Sequence, residues 1–219
     1  MPIGTPPRFW DRRAEDYAKQ PVPDEQAYRQ TVERLRAHLR PSDRVLELGC
    51  GTGSTALELA ASAREILATD YSTAMIRIAE TKSQAEGVTN LKFRSCTADD
   101  PALAPESFDL VLALNLLHLL DDLPAGLRRI HELVRPGGLF ISKTPCIGDR
   151  GLALRIAIPI MRVAGVAPYV SFVTEHSLVA QIMDGGFDVR ETGMYPKKTR
   201  SLFVVARRAS PSETRAEKR

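Results

Sequence analysis

Glycines at 49, 51 and 53 stand in the run VLELGCGTGS (45–54), between an apolar β-rich segment ending at Leu48 and a helical pattern beginning near Ser54. Glycine at such a junction lets the backbone turn sharply and lets a ligand approach without interference from a Cβ. The N–H groups of the helix start then face that ligand. Two carboxylates flank the turn: Glu47 sits inside the strand, and Asp70 ends the next β-rich run, EILATD (65–70). An acid at that strand end is placed to accept both hydroxyls of a ribose. The alternative for the glycines is a tight turn without a ligand. For Asp70 it is capping of the following helix, a role for which Ser72 competes.

A G-x-G-x-G run also occurs in dinucleotide-binding proteins. Here the third glycine comes one residue too early for G-x-G-x-x-G, and Glu47 stands where a nicotinamide site carries an apolar residue. Both features argue against a nicotinamide-dependent oxidoreductase, whereas Asp70 suits any adenosyl ligand.

The elements that must position these residues alternate. Strand-like runs at 44–48, 65–70, 91–96, 108–115 and 139–144 are separated by helical patterns, clearest at 54–62, 72–86 and 122–134. Apolar strands with helices between them indicate a parallel sheet covered on both faces. Two further strand runs, 187–195 and 201–207, are joined by Pro196 to Arg200, a link short enough for an antiparallel hairpin. Ahead of the sheet lie a helical stretch from Phe9 to Lys19 and a second from Pro23-Asp24, with Ala27, Val32, Leu35 and Leu39 on one stripe. Thr174 reads as the N-cap of a helix over 175–185, with His176 at its exposed start.

These residues resemble the first motif of the class I S-adenosylmethionine-dependent methyltransferases, an acid and an apolar residue running into G-x-G-x-G. The chain follows that family in order from about residue 40 to 207. ATDYS (68–72) is similar to its ribose-binding strand end, SFDLVLALNLLHLL (107–120) to its fourth-strand motif and ELVRPGGLFIS (132–142) to its helix-turn-strand motif. The resemblance implies an α/β, Rossmann-like seven-stranded sheet ordered 3-2-1-4-5-7-6, with strand 7 antiparallel and helices on both faces. It implies one methyltransferase domain over 1–208, with an N-terminal helical cap (1–40) and a lid-like insertion (145–173). S-adenosyl-L-methionine is the implied cofactor.

The resemblance also places Glu47, Gly49, Cys50, Gly51, Gly53, Asp70, Tyr71 and Met75 around the cofactor. After the third strand many relatives carry G-D-A, whose acid reaches the adenine amino group. This chain reads Cys96-Thr97-Ala98-Asp99, so Ala98 N–H meets an adenine nitrogen and either Thr97 or Asp99 takes the amino group. The carbonyl near Leu114 would bind the cofactor's ammonium, and Asn115 would face cofactor or acceptor. His118 and Tyr17 are the candidate catalytic groups, His118 accepting a proton or orienting the acceptor. The alternative for His118 is packing at a helix start. For Phe9, Trp10 and Tyr17 it is ordinary apolar packing.

Methyl transfer is an in-line displacement whose electrophile the cofactor supplies activated, so the protein mainly aligns the reactants and excludes water. A general base is needed only where the nucleophile's proton is hard to lose. The insertion PCIGDRGLALRIAIPIMRVAGVAPYVSFV (145–173) is far more apolar than a surface loop. Three roles stay open for it: an extra core helix, the wall of an apolar acceptor pocket, or a dimer contact. The link after Tyr195, with Lys197, Lys198 and Arg200, would form a basic rim at the mouth. That suits an acceptor with an anionic group or a membrane surface; alternatively the lysines only protect a sheet edge.

The chain has 219 residues, 43% hydrophobic and 26% charged, with a net charge of +3. These values fit one globular domain, and so weak a charge gives no support for nucleic acid. Cys50, Cys96 and Cys146 lie far apart without C-x-x-C spacing, which reads as reduced thiols in a cytoplasmic protein, with neither disulfide frame nor metal site. The start, MPIGTPPRFWDRR, lacks the apolar core of a signal peptide. Arg155, Arg162, Pro159 and Pro168 interrupt the most apolar stretch, so no transmembrane segment is expected. Peripheral membrane contact and oligomeric state stay open. His38 and His131 are expected to face solvent, Asp121-Asp122 and Asp99-Asp100 to form caps and turns, and 209–219 to be a disordered tail. The expected function is methyl transfer to a small acceptor, apolar or amphiphilic. The alternative from another class is an adenosyl-binding regulatory or assembly subunit of the same fold without turnover.

Overall fold

The computed structural model describes residues 6–149, 152–195 and 201–210. The 196–200 link, with its three basic residues, and residues 211–219 of the expected tail lie outside them. Seven strands build one sheet: β1 (Arg44–Leu48), β2 (Glu65–Asp70), β3 (Leu91–Ser95), β4 (Phe108–Leu114), β5 (Val134–Pro145), β6 (Phe187–Met194) and β7 (Ser201–Arg208). Their order is β3-β2-β1-β4-β5-β7-β6. The pairs β1/β2, β1/β4, β2/β3 and β4/β5 are parallel, and β7 runs antiparallel to both neighbours. The architecture is that of the Rossmann-like methyltransferase sheet.

The helices are α1 (Pro7–Asp11), α2 (Ala14–Lys19), α3 (Glu25–Arg36), α4 (Ser54–Leu59), α5 (Thr73–Glu86), α6 (Leu123–Leu133), α7 (Leu152–Val163) and α8 (Glu175–Asp184). Alternating strand residues feed two cores. Leu46, Leu48, Val111, Ala113 and Phe140 pack with Leu127 and Ile130 of α6 and Leu178 and Ile182 of α8. Val45, Ile66, Leu110, Leu112 and Ile141 pack with Val32 and Leu35 of α3 and Leu59 of α4. Burying each such side chain contributes roughly 1.5–3 kcal/mol, so the sheet ends are held rigidly. Asp24, Ser72, Asp122 and Thr174 each accept a backbone N–H at a helix start, which fixes where α3, α5, α6 and α8 begin.

Several expectations need correction. The stretch from Phe9 to Lys19 is two helices, because the chain turns at Arg12-Arg13. The fourth strand stops at Leu114, since Asn115 adopts a left-handed backbone with φ +53°. The fifth strand begins at Val134 rather than 139, with an irregular register between Phe108 and Leu110. His38 does not face solvent: its Nε2 lies 3.3 Å from the Glu191 carboxylate on β6. Nor does His131, whose half-buried ring packs edge-on against Phe187 with centroids 5.1 Å apart. Burial lowers its pKa. The insertion forms α7, whose described side chains stay outside both cores, while Cys146 and Val173 at the insertion's two ends join the first. Among the described residues no helix is long and apolar enough to cross a membrane.

Candidate active site

Strand β1 has β2 on one side and β4 on the other. Their C-terminal ends are level, Leu48 pairing with Thr69 and with Ala113. A crevice outside such a reversal point is where open α/β sheets bind ligands. A cavity of about 380 Å³ lies there, lined by residues from the ends of β1, β2, β4 and β5, the loop after β3, the N-terminal cap and the insertion.

The glycine turn divides its labour. All three glycines have left-handed backbones, with φ of +67°, +55° and +76°. A Cβ on Gly51 would meet nothing nearer than Tyr17 at 3.9 Å, so this position presents open backbone to the cavity. Gly49 also lines the cavity, but its Cβ would strike the Leu116 side chain at 2.9 Å. Gly53 does not line it: a Cβ there would run into Phe93 at 2.7 Å and Ala79 at 2.8 Å. The third glycine therefore lies outside the cavity lining and lets the start of α4 pack closely against Phe93 and Ala79.

Asp70 accepts Gly51 N–H at 3.0 Å on one carboxylate oxygen and Ser72 N–H at 2.8 Å on the other. Ser72 itself takes the N-cap role, accepting from Met75 N–H, which leaves Asp70 to face the cavity. Burial raises the Asp70 pKa despite these bonds. Glu47 is 3% exposed, and one of its oxygens, Oε2, has no hydrogen-bond partner. Burial, and then repulsion from Asp70, push its carboxyl up to about 8. Two desolvated carboxylates with an unfilled acceptor call for a ligand rich in hydroxyl and cationic groups. A ribose with an ammonium and a sulfonium meets that need, so these residues fit S-adenosylmethionine.

The remaining predicted residues divide between cavity and scaffold. Cys50, Tyr71, Met75, Thr97, Ala98, Leu114, Asn115, His118 and Tyr17 all line the cavity; Asp99 does not. Of the two candidates for the adenine amino group, Thr97 lines the cavity and Asp99 does not. Its loop is pinned by Arg129 of α6, which donates to the carbonyls of Ala98 and Leu103, each at 2.9 Å. Desolvation raises both cavity thiols, Cys96 to about 11 and Cys50 well above its ordinary value, so neither is a ready nucleophile. Asn115 keeps its strained backbone with an N–H bond to the Lys143 carbonyl at 2.7 Å.

His118 lies in the short turn Leu117–Leu119 that follows β4. It is 9% exposed, and its Nδ1 has no partner. Burial pushes its pKa down to about 4, so the ring is neutral at pH 7. Its backbone carbonyl accepts Ser171 N–H at 2.7 Å, which ties the insertion to this wall of the site. Tyr17 stands half-exposed at the mouth, where burial of the hydroxyl and the Asp70 charge raise its pKa. Trp10 hydrogen-bonds the Tyr71 side chain.

Sequence reasoning missed Thr55, Thr69, Leu116 and Leu119, which line the cavity, and did not single out Pro145, Pro168 and Val170 within the insertion, for which a pocket wall was one of the three roles left open. Only the position of Thr69 next to Asp70 offered a signal. The apolar ones have the pattern of core residues.

A family described as a methyltransferase domain matches residues 45–138. A ubiquinone biosynthesis O-methyltransferase from Azorhizobium caulinodans is 32% identical over 168 residues, covering 74% of this chain and 66% of that protein. The chain spans only 60–66% of the length of such curated relatives. The crystal structure of YcgJ from Bacillus subtilis superposes with a TM-score of 0.66 at 19% identity, covering 76% of this chain and 70% of that one. The [4+2]-cyclase SpnF superposes at 0.68 with 14% identity, covering 83% and 80%. Motif order, sheet order and these relatives agree that the chain belongs to the class I S-adenosylmethionine-dependent methyltransferase family.

Proposed function

We propose that this chain transfers a methyl group from S-adenosylmethionine to a hydroxyl oxygen on a small acceptor with an apolar body. The observation that carries the reading is the division of one cavity into two unlike flanks. Because the sheet runs β2-β1-β4-β5, Glu47 and Asp70 lie on one flank with the open backbone of Gly51. On the other flank neutral His118 stands with Leu116, Leu119, Pro145 and Val170. In this reading Asp70 receives the ribose hydroxyls, Thr97 and Ala98 meet the adenine, and Leu114 and Asn115 face the methionine part. The cofactor, when bound, supplies the activated methyl group.

The chain's own residues then orient the acceptor. His118 accepts a hydrogen bond from the acceptor hydroxyl at a ring nitrogen and takes its proton as the new C–O bond forms and the carbon–sulfur bond breaks. A histidine with so low a pKa is a weak base, but the hydroxyl becomes strongly acidic once methylation begins, so a late proton transfer suffices. The cap residues Trp10 and Tyr17, with Pro168 and Val170, keep water from the transfer path. The oxygen acceptor is supported by the names of several curated relatives, which are ubiquinone biosynthesis O-methyltransferases.

A [4+2]-cyclase stands among the fold neighbours, so the fold alone does not decide the reaction. The test is incubation with methyl-labelled cofactor and matched panels of alkyl-substituted phenols and amines. Label on the phenols, and not on the amines, is the expected result. Tight S-adenosylhomocysteine binding with no transfer to either panel or to cell-extract metabolites would favour the binding-subunit reading.

A further inference from the structure

Helix α7 and the turn after it hold most of the uncovered apolar surface. Nine large hydrophobic residues stand exposed among the described residues, and six of them are Leu154, Ile156, Ile160, Met161, Val163 and Val166. Ile160 is 64% exposed and Val163 91%. An ordinary surface helix turns one apolar stripe inward and a polar face outward. Here the outward face is itself apolar, and among the helix residues whose burial is described only Ala157 and Ile158 reach intermediate burial.

The charges within this segment have one sign. Between Asp149 and Glu175 the sequence has three arginines and no acid. The Arg155 guanidinium lies over Phe172, 5.8 Å from the ring centre, and Arg162 over Tyr169 at 4.8 Å. Arg13 reaches from the turn between α1 and α2 to donate to the Gly165 carbonyl at 3.1 Å. The flanking Asp149 carboxylate is engaged in accepting Glu175 N–H at the start of α8.

A second copy of the chain would set arginines against arginines, with no acid on the helix to answer them. An anionic bilayer answers both features: apolar side chains enter the acyl boundary while arginines stay at the phosphates. A helix of 12 residues spans about 18 Å, too short to cross the membrane but sufficient to lie in its surface.

We propose that α7 and the 164–166 turn dock the protein peripherally on an anionic lipid bilayer, with Arg155 and Arg162 at the headgroups. The docked helix adjoins the cavity, because the segment returning from it carries Pro168 and Val170 in the cavity wall. Docking does not depend on the reaction proposed above, and its test requires no turnover.

The test is flotation of the full chain with vesicles of phosphatidylcholine alone or with added phosphatidylglycerol. Recovery with the anionic vesicles, weakening as salt is added, is the expected result. The double variant Ile156→Glu, Ile160→Glu should lose on the order of a hundredfold in vesicle affinity. Its thermal midpoint and S-adenosylhomocysteine affinity should stay unchanged, since both side chains are exposed. A second variant, Arg155→Glu with Arg162→Glu, should weaken binding on the order of tenfold or more. Three outcomes overturn the proposal: no recovery of the wild type, equal recovery on neutral vesicles, or undiminished recovery of the isoleucine variant. A dimer seen by light scattering and split by the isoleucine variant, with no vesicle binding, would make this face a subunit contact instead.

Discussion

Asp11 accepts a hydrogen bond from the Ser72 hydroxyl at 2.7 Å, and the same carboxylate oxygen accepts Ala74 N–H at 3.2 Å. This joins the end of α1 to the first turn of α5, immediately after Asp70. An acid at a helix N-terminus also gains from the helix dipole. The contact latches the N-terminal cap, with Trp10 and Tyr17, over the cavity.

Breaking that latch should loosen the cap without unfolding the sheet. Asp11→Ala is expected to lower S-adenosylhomocysteine affinity by about tenfold, the loss of part of a charge-assisted bond of roughly 1.5–3 kcal/mol. Amide exchange in α1 and α2 should quicken while the strands stay protected, and Asp11→Asn should retain part of the effect. Calorimetry and hydrogen exchange that match wild type would remove the latch from the account.

The buried carboxyl of Glu47 makes a pH signature. Its native pKa of about 8 lies above the ordinary 4.5, so its contribution to stability is full below pH 4.5 and is lost as pH rises to about 8. His118 acts oppositely: its pKa falls from 6.5 to about 4, so its contribution is lost as pH falls through that range. Between pH 6.5 and 8 only the Glu47 contribution of this pair changes. The ligand-free protein should there lose at most about 1.4 kcal/mol per pH unit, read as a falling thermal midpoint. Glu47→Gln should flatten that slope; an equal slope in the variant would assign it to another group.

Much of this was legible in the sequence because it is local. Strand and helix periods, the glycine run and the acid ending the next strand are set within a few residues, and the family's motif order then fixed the sheet. What failed depends on packing across the chain. Gly53 has the same spacing as Gly49 and Gly51, yet only tertiary contact with Phe93 and Ala79 shows that it faces away from the cavity. Leu116, Leu119, Pro145 and Val170 resemble core residues, because an apolar cavity wall and a core share one pattern. Thr97 and Asp99 were equal candidates until the loop held by Arg129 put only Thr97 at the cavity.

The neutral ring of His118 leads to a kinetic expectation. His118→Ala should lower turnover by roughly 10²–10⁴-fold while S-adenosylhomocysteine affinity stays near wild type. With a ring pKa near 4, protonation of this histidine should not slow turnover between pH 7.5 and 5.5. An ordinary histidine, titrating near 6.5, would give a clear fall over that interval. Near-normal turnover of the alanine variant would leave alignment alone as the catalytic device.

The glycines permit a separation of binding from folding. Both Gly51 and Gly53 have left-handed backbones, so any side chain at either costs about 1–2 kcal/mol. Beyond that cost the two differ. A methyl group at 53 must displace the Phe93 ring or Ala79 from within 2.8 Å, adding roughly 1–3 kcal/mol of overpacking. A methyl group at 51 enters open space beside the cavity, with nothing nearer than 3.9 Å, and so meets the ligand rather than the protein. Gly53→Ala should therefore lower the thermal midpoint more than Gly51→Ala does. Gly51→Ala should cost at least tenfold in cofactor affinity while keeping most of its stability. The reverse ranking, with Gly53→Ala the poorer binder and Gly51→Ala the less stable fold, would mean that Gly53 is the residue meeting the ligand.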